Sequence, residues 1–173
     1  MSSRIAVYGI GNVLAHDDAV GPSVVRMLDA EWQLPDGVIV EDLGTPAIEL
    51  PTHLSGLDAV VLVDAVSASA APGTIRIYGR DEILAHSPGL RISPHDPALR
   101  ETLLMLDVIG EAPAVVALVG VVAAETEMGI GLSQAVSDAL PHAVEAVLGE
   151  LAKLGIDATR RRQPLAADLW WAA

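Results

Sequence analysis

Two short apolar runs constrain this chain most: "AVVLVDAV" at 59–66 and "AVVALVGVV" at 114–122. A strand with one face in water alternates apolar and polar residues. A run without that alternation needs cover on both faces. "IAVYG" (5–9), "VIVEDLG" (38–44) and "TIRIYG" (74–79) read the same way. Helical periodicity fills the intervals. Val20, Val24, Met27 and Leu28 share a face, and Pro22 falls in the first turn, where its missing N–H costs nothing. Asp96 and Pro97 form an N-cap and N1 pair opening "PALRETLLML". Leu140, Val144, Val147, Leu151 and Leu154 make one stripe. Pro141 is expected to kink or split that helix, and Gly155 to cap its end. Strands alternating with helices imply an α/β sandwich around a mostly parallel sheet.

Hydrophobic residues make up 51% of the 173, which argues against disorder and allows one domain with a real core. That domain is expected over 1–158. The stretch 159–173 changes character, with Arg160 to Arg162 basic and Trp170 and Trp171 near its end, and reads as a loosely held tail. Acidic residues number 23 against 10 basic, a net charge of −13 that repels nucleic-acid backbones and anionic membranes. The absence of cysteine excludes disulfides, zinc ribbons and a thiol nucleophile. "AVVALVGVVAA" (114–124) is too short to span a bilayer, and "MSSRIAVYG" enters a strand without the apolar core of a signal peptide. A soluble, cytoplasmic, monomeric protein is expected.

The segment "GIGNVLAHDDAVG" (9–21) opens like a dinucleotide-binding turn. The third glycine of that fingerprint is replaced by Leu14, and Asp17 and Asp18 would repel a phosphate. Both features count against a nucleotide pocket, and a nucleotide-binding domain stays as the third reading, which thermal stabilisation by dinucleotides would support. Asp17 is read as a helix cap or a solvated acid. Asp18 depends on what converges beside it. Asp64 ends the most apolar run, where a carboxylate is costly unless paired, hydrogen-bonded or bound to a metal. His16, His53, His86 and His142 are expected to face solvent. His95 lies between Pro94 and Pro97, which restrict its loop. If the runs at 5–9 and 59–66 are parallel neighbours, Asp18 and Asp64 emerge at one sheet edge. With His95 they would suit a divalent transition metal with open positions.

"GIGNVLAHDDAVG", "EDLGTPAIEL", "VVLVDAV", "ISPHDPAL" and "LVGVVAAETEMGIGLSQAV", in this order, resemble the maturation endopeptidases of nickel–iron hydrogenases. The resemblance runs from about Ile5 to Gly155. It implies a three-layer α/β/α sandwich of the phosphorylase/hydrolase-like type, with five strands of which one is antiparallel. It implies that Asp18, Asp64 and His95 are the catalytic and metal-binding residues. They would bind nickel carried by an immature hydrogenase large subunit, and other divalent cations can stand in for it. The enzyme would remove a C-terminal extension from that precursor. The D-x-G-T element, Asp42 to Thr45, corresponds to a loop beside the cleft, so Gly44 and Thr45 are expected to meet substrate. Leu43 stands where some members have a glycine, which implies a stiffer loop. No G-x-S-x-G elbow is present, so an esterase-type serine is not expected. The metal could polarise the scissile carbonyl and activate water, or it could be a recognition mark beside a carboxylate that assists hydrolysis. A non-enzymatic maturation chaperone with the same ligands is the competing class.

Overall fold

A computed structural model describes residues 4–85 and 96–172. Its elements are β1 (Ile5–Ile10), a 3-10 helix (His16–Ala19), α1 (Val20–Glu31), β2 (Trp32–Gln33) and β3 (Val38–Gly44). Then come α2 (Leu50–Leu54), β4 (Ala59–Val66), β5 (Ile75–Gly79), α3 (Arg80–Ala85) and α4 (Asp96–Ile109). β6 (Val115–Val122), α5 (Gln134–Lys153) and β7 (Thr159–Arg160) complete the order.

All five apolar runs are strands of one sheet, in the order β3-β1-β4-β6-β5. β1 is parallel to both β3 and β4, β4 is parallel to β6, and β5 closes the edge antiparallel. Continuous hydrophobicity has the predicted cause: every residue of β1 and β4 is buried. Alternation then divides each strand between two cores. Ala59, Val61, Val63 and Ala65 of β4 join Ile5 and Val7 of β1 under α1 and α5. Val60, Leu62 and Val66 join Ala6, Tyr8 and Ile10 against α2, α3 and α4. Each buried valine or leucine contributes roughly 1.5–3 kcal/mol, so small branched side chains can hold three layers together.

The glycines of the opening turn work by close approach. A Cβ on Gly21 would fall inside contact distance of the Ile10 and Val63 carbonyl oxygens, and one on Gly9 would strike the Gly21 backbone. Gly11 has φ 147°, and a Cβ there would overlap the Asp18 carbonyl. Three missing side chains let the 3-10 helix and the start of α1 lie directly on the ends of β1 and β4.

Two expectations about the C-terminal third need correcting. α5 is a single helix running through Pro141, not two. Pro141 and Ser137 are both exposed, so water can serve the carbonyl that the ring leaves without a helical donor. The helix ends as expected, with Gly155 at φ 75°. Ile156 N–H donates to Leu151 O and Gly155 N–H to Ala152 O, the paired bonds of a Schellman cap. α4 begins at Asp96, but the side chains of Asp96 and Pro97, and hence their capping role, lie outside the described residues.

The tail, expected to be loose, is instead fastened to α1 and its flank. β7 pairs antiparallel with β2. Arg161 N–H donates to Glu31 O and Leu165 N–H to Ala30 O. Trp171 is buried, its indole N–H on Ser23. Among the described residues no helix is long and apolar enough to cross a membrane.

Candidate active site

The parallel register Gly9↔Val63 sets β1 and β4 side by side with their carboxyl ends together. The 3-10 helix follows β1 and packs on β4, so Asp18 and Asp64 come to the same sheet edge. That edge is where open α/β sheets carry their sites. Both carboxylates are buried, Asp18 at 5% exposure and Asp64 at 2%. Alternation puts Asp64 on the face shared with Val60, Leu62 and Val66, the face that α4 covers. Asp18 Oδ2 accepts from Asn12 N–H at 2.8 Å. Its Oδ1 is buried and has no hydrogen-bond partner among the described residues. A buried carboxylate oxygen left so is costly unless a cation or a donor from outside meets it.

A cleft of about 480 Å³ opens beyond Asp64, lined by Ala65 and Val66 of β4, by Ser67 just after it and by 123–127 after β6. Glu125 and Glu127 add two more acids to its wall. The 3-10 helix borders this wall, because Asp17 N–H donates to Glu125 O at 3.1 Å. With Glu125 and Glu127 on the cleft wall and Asp18 and Asp64 buried at the neighbouring strand ends, this region is acidic and suits a cation better than an anion.

Gly44 and Thr45 sit at the end of β3, on the same edge. Gly44 N–H donates to Asp42 Oδ1 at 2.9 Å, and Gly44 O accepts from Gly11 N–H at 2.8 Å. The turn is thus tied to the glycine segment that holds Asp18, and Thr45 is exposed beside it. His95 lies outside the described residues, as does His86. Among the described residues no three His, Cys, Asp or Glu side chains form a group that could hold a metal ion.

Asp17 is neither a cap for its own helix nor solvated. It is fully buried, and its Oδ2 accepts from Ala124 N–H (2.8 Å), Glu125 N–H (3.3 Å) and Ser133 Oγ (2.9 Å). Its Oδ1 accepts from Ser133 N–H at 2.7 Å. Ser133 in turn caps α5. Asp17 therefore anchors the cleft wall and the start of α5. No local signal announces this, since every donor comes from across the fold. His16 is also less solvated than expected. At φ 44° it lies over Gly129, where a Cβ would strike the ring, and its Nδ1 is 3.1 Å from Gly131 O. His53 is half-buried with its ring edge-on to Tyr8, while His142 is exposed as expected.

Arg26 was passed over in the sequence, and nothing in its helical position marks it. Its Nε and Nη2 donate to Asp42 Oδ2 at 3.2 and 3.1 Å. Glu125 and Glu127 were visible inside "AAETEMG", but only the folded cleft gives them a place.

Residues 22–150 match the family model described as "Hydrogenase maturation protease". The Hydrogenase 2 maturation protease of Escherichia coli (strain K12) is 38% identical over 159 residues, 91% of this chain and 96% of that protein. The hydrogenase expression/formation protein HupM of Azotobacter chroococcum is 35% identical over 92% of this chain and 77% of its own length. The solved hydrogenase maturating endopeptidase HybD from E. coli superposes with a TM-score of 0.83 at 35% identity, covering 91% of this chain and 98% of that one. The hydrogenase maturation protease HybD from Thermococcus kodakarensis gives 0.69 at 26% identity, covering 85% and 98%.

Proposed function

The chain belongs to the hydrogenase maturation proteases and is a peptidase, and on that premise we propose that it removes the C-terminal extension of a nickel–iron hydrogenase large-subunit precursor. The nickel ion arrives with the substrate. Asp18, Asp64 and His95 receive it, and Gly44 and Thr45 meet the peptide.

One observation carries this reading. Asp18 holds a buried carboxylate oxygen with no hydrogen-bond partner among the described residues, at the sheet edge where Asp64 and the cleft also lie. Carboxylate oxygens are fitting ligands for a divalent ion, and an ion there would meet the atom that no described residue serves. Bound there, nickel would polarise the scissile carbonyl or mark the precursor as ready for cutting. The chain's own part is positional. Asn12 N–H fixes one oxygen of Asp18 and so aims the other. Burial holds Asp64 in a single strand-end geometry. The acidic wall of Glu125 and Glu127 favours a cationic arrival.

Intact-mass analysis of a large-subunit precursor, incubated with the purified protein, tests the proposal. Shortening of the nickel-loaded precursor, with the nickel-free form left uncut, is the expected result. Equal cutting of both forms would remove nickel from the account. No cutting of either would overturn the proposed substrate.

A further inference from the structure

We propose that the C-terminal segment 168–171 is a latch that holds Asp18 and the Gly44–Thr45 turn in register, with Trp171 and Arg26 as its positioning residues. The proposal rests on the reading of Asp18, Gly44 and Thr45 as parts of the site.

Two hydrogen-bonded routes leave this segment: one ends on the carbonyl of Ala19, next to Asp18, and the other on Asp18 itself. The first is buried. Trp171, 1% exposed, donates its indole N–H to Ser23 Oγ at 2.9 Å. Ser23, itself fully buried, donates onward to Ala19 O at 2.7 Å, the carbonyl of the residue after Asp18. The second runs through Arg26. Its guanidinium carbon lies 4.7 Å from the centre of the Trp171 ring, and its Nη1 donates to Asp168 O at 3.2 Å. Its other two nitrogens grip Asp42 Oδ2. Asp42 Oδ1 holds Gly44 N–H, Gly44 O holds Gly11 N–H, and the next residue, Asn12, donates to Asp18 Oδ2.

These contacts do more than cover α1. Val20, Val24 and Leu28 already bury that helix against the sheet. What the latch adds is orientation of groups that end on site backbone. Arg26 is partly exposed and would otherwise sample several rotamers. The ring on one face and the Asp168 carbonyl on one nitrogen select the rotamer that meets Asp42. Ser23 has one proton to give, and the indole N–H on its oxygen favours the hydroxyl orientation that sends this proton to Ala19 O.

The two routes predict separable defects. Trp171→Phe keeps a ring over Arg26 and removes the N–H given to Ser23. Arg26→Gln keeps the indole bond and breaks the grip on Asp42. In the full-length protein, amide hydrogen exchange and the kinetics of precursor cleavage are measured for both variants. Trp171→Phe is expected to speed exchange at Asn12 about fivefold or more and to lower kcat with KM unchanged. Arg26→Gln is expected to speed exchange at Gly44 and Gly11 about tenfold and to raise KM. Amides of β4 and β6 should keep wild-type rates in both. Unchanged exchange at Gly11, Asn12 and Gly44, or a rise shared equally with β4, would overturn the latch. Local loosening with kcat and KM both unaltered would overturn its positioning role. Failure of the site reading looks different: wild-type protein that does not cleave, or Asp18→Asn that cleaves normally. The latch then stands or falls on the exchange pattern alone.

Discussion

Replacing Asp17 by alanine should cost this protein more stability than replacing its neighbour Asp18, although both are buried acids on one turn of 3-10 helix. Asp17 accepts four hydrogen bonds, from the N–H groups of Ala124, Glu125 and Ser133 and from the Ser133 hydroxyl. A hydrogen bond to a charged group contributes about 1.5–3 kcal/mol net. Four such bonds do not add in full, because they share one acceptor group and because water can reach the exposed residues Ala124 and Glu125 once the carboxylate is gone. A loss of about 3 kcal/mol follows for Asp17→Ala. With a urea slope of roughly 2 kcal/mol per M, the denaturation midpoint falls by about 1.5 M. Asp17→Asn should fare little better. If the amide oxygen takes the place of Oδ2, its NH₂ faces the Ser133 N–H that lies 2.7 Å from Oδ1, and two donors meet. Urea denaturation followed by circular dichroism measures the wild type, Asp17→Ala, Asp17→Asn and Asp18→Ala. A midpoint shift worth less than about 1 kcal/mol for Asp17→Ala would refute the anchoring role and the energetics drawn from it.

Three further outcomes are expected. Gly21→Ala should lower stability by about 3 kcal/mol or more in thermal denaturation, because the new Cβ strikes the Ile10 and Val63 carbonyls and the start of α1 must lift; an unshifted Tm would contradict this. Pro141→Ala restores an N–H for the exposed Ser137 carbonyl and should raise stability by about 1–3 kcal/mol in the same assay, with a fall contradicting it. Burial, reinforced by the Glu41 carboxylate and opposed by Arg4, raises the pKa of the Tyr8 hydroxyl. The folded chain therefore keeps that proton at pH values where the unfolded chain has lost it. The contribution to stability is complete below the ordinary tyrosine value of about 10 and is lost as pH rises above it. Tyr8→Phe should flatten this alkaline decline in a pH series of denaturation curves, and an identical decline would refute the assignment.

The sheet was legible because full burial leaves an unmistakable record: a strand covered on both faces has no reason to carry polar residues, and β4 carries only one. That single exception, Asp64, was legible for the same reason. Asp18 followed from topology once β1 and β4 were taken as parallel neighbours, which they are. What could not be read depends on partners distant in the chain. Asp17 looks like any acid beside a helix start, and its donors lie at 124–133. The tail looks like a polar leash with two tryptophans. Its order comes from Ser23, Arg26 and the flank of α1, none of which carries a local sign of waiting for it. Pro141 does not split its helix, since the Ser137 carbonyl that loses its donor is exposed to water. His95, the third expected ligand, lies outside the described residues.

The most direct test of the central claim is Asp18→Asn, measured for stability and for precursor cleavage in the same preparation. The amide oxygen can keep the bond from Asn12 N–H, while the charge on the oxygen that has no hydrogen-bond partner among the described residues disappears. Stability should stay within about 1 kcal/mol of wild type or rise, since a buried charge is removed. Cleavage of the nickel-loaded precursor should fall by about a hundredfold or more, since the proposed function makes this carboxylate a metal ligand. Wild-type cleavage by a well-folded Asp18→Asn protein would contradict the account.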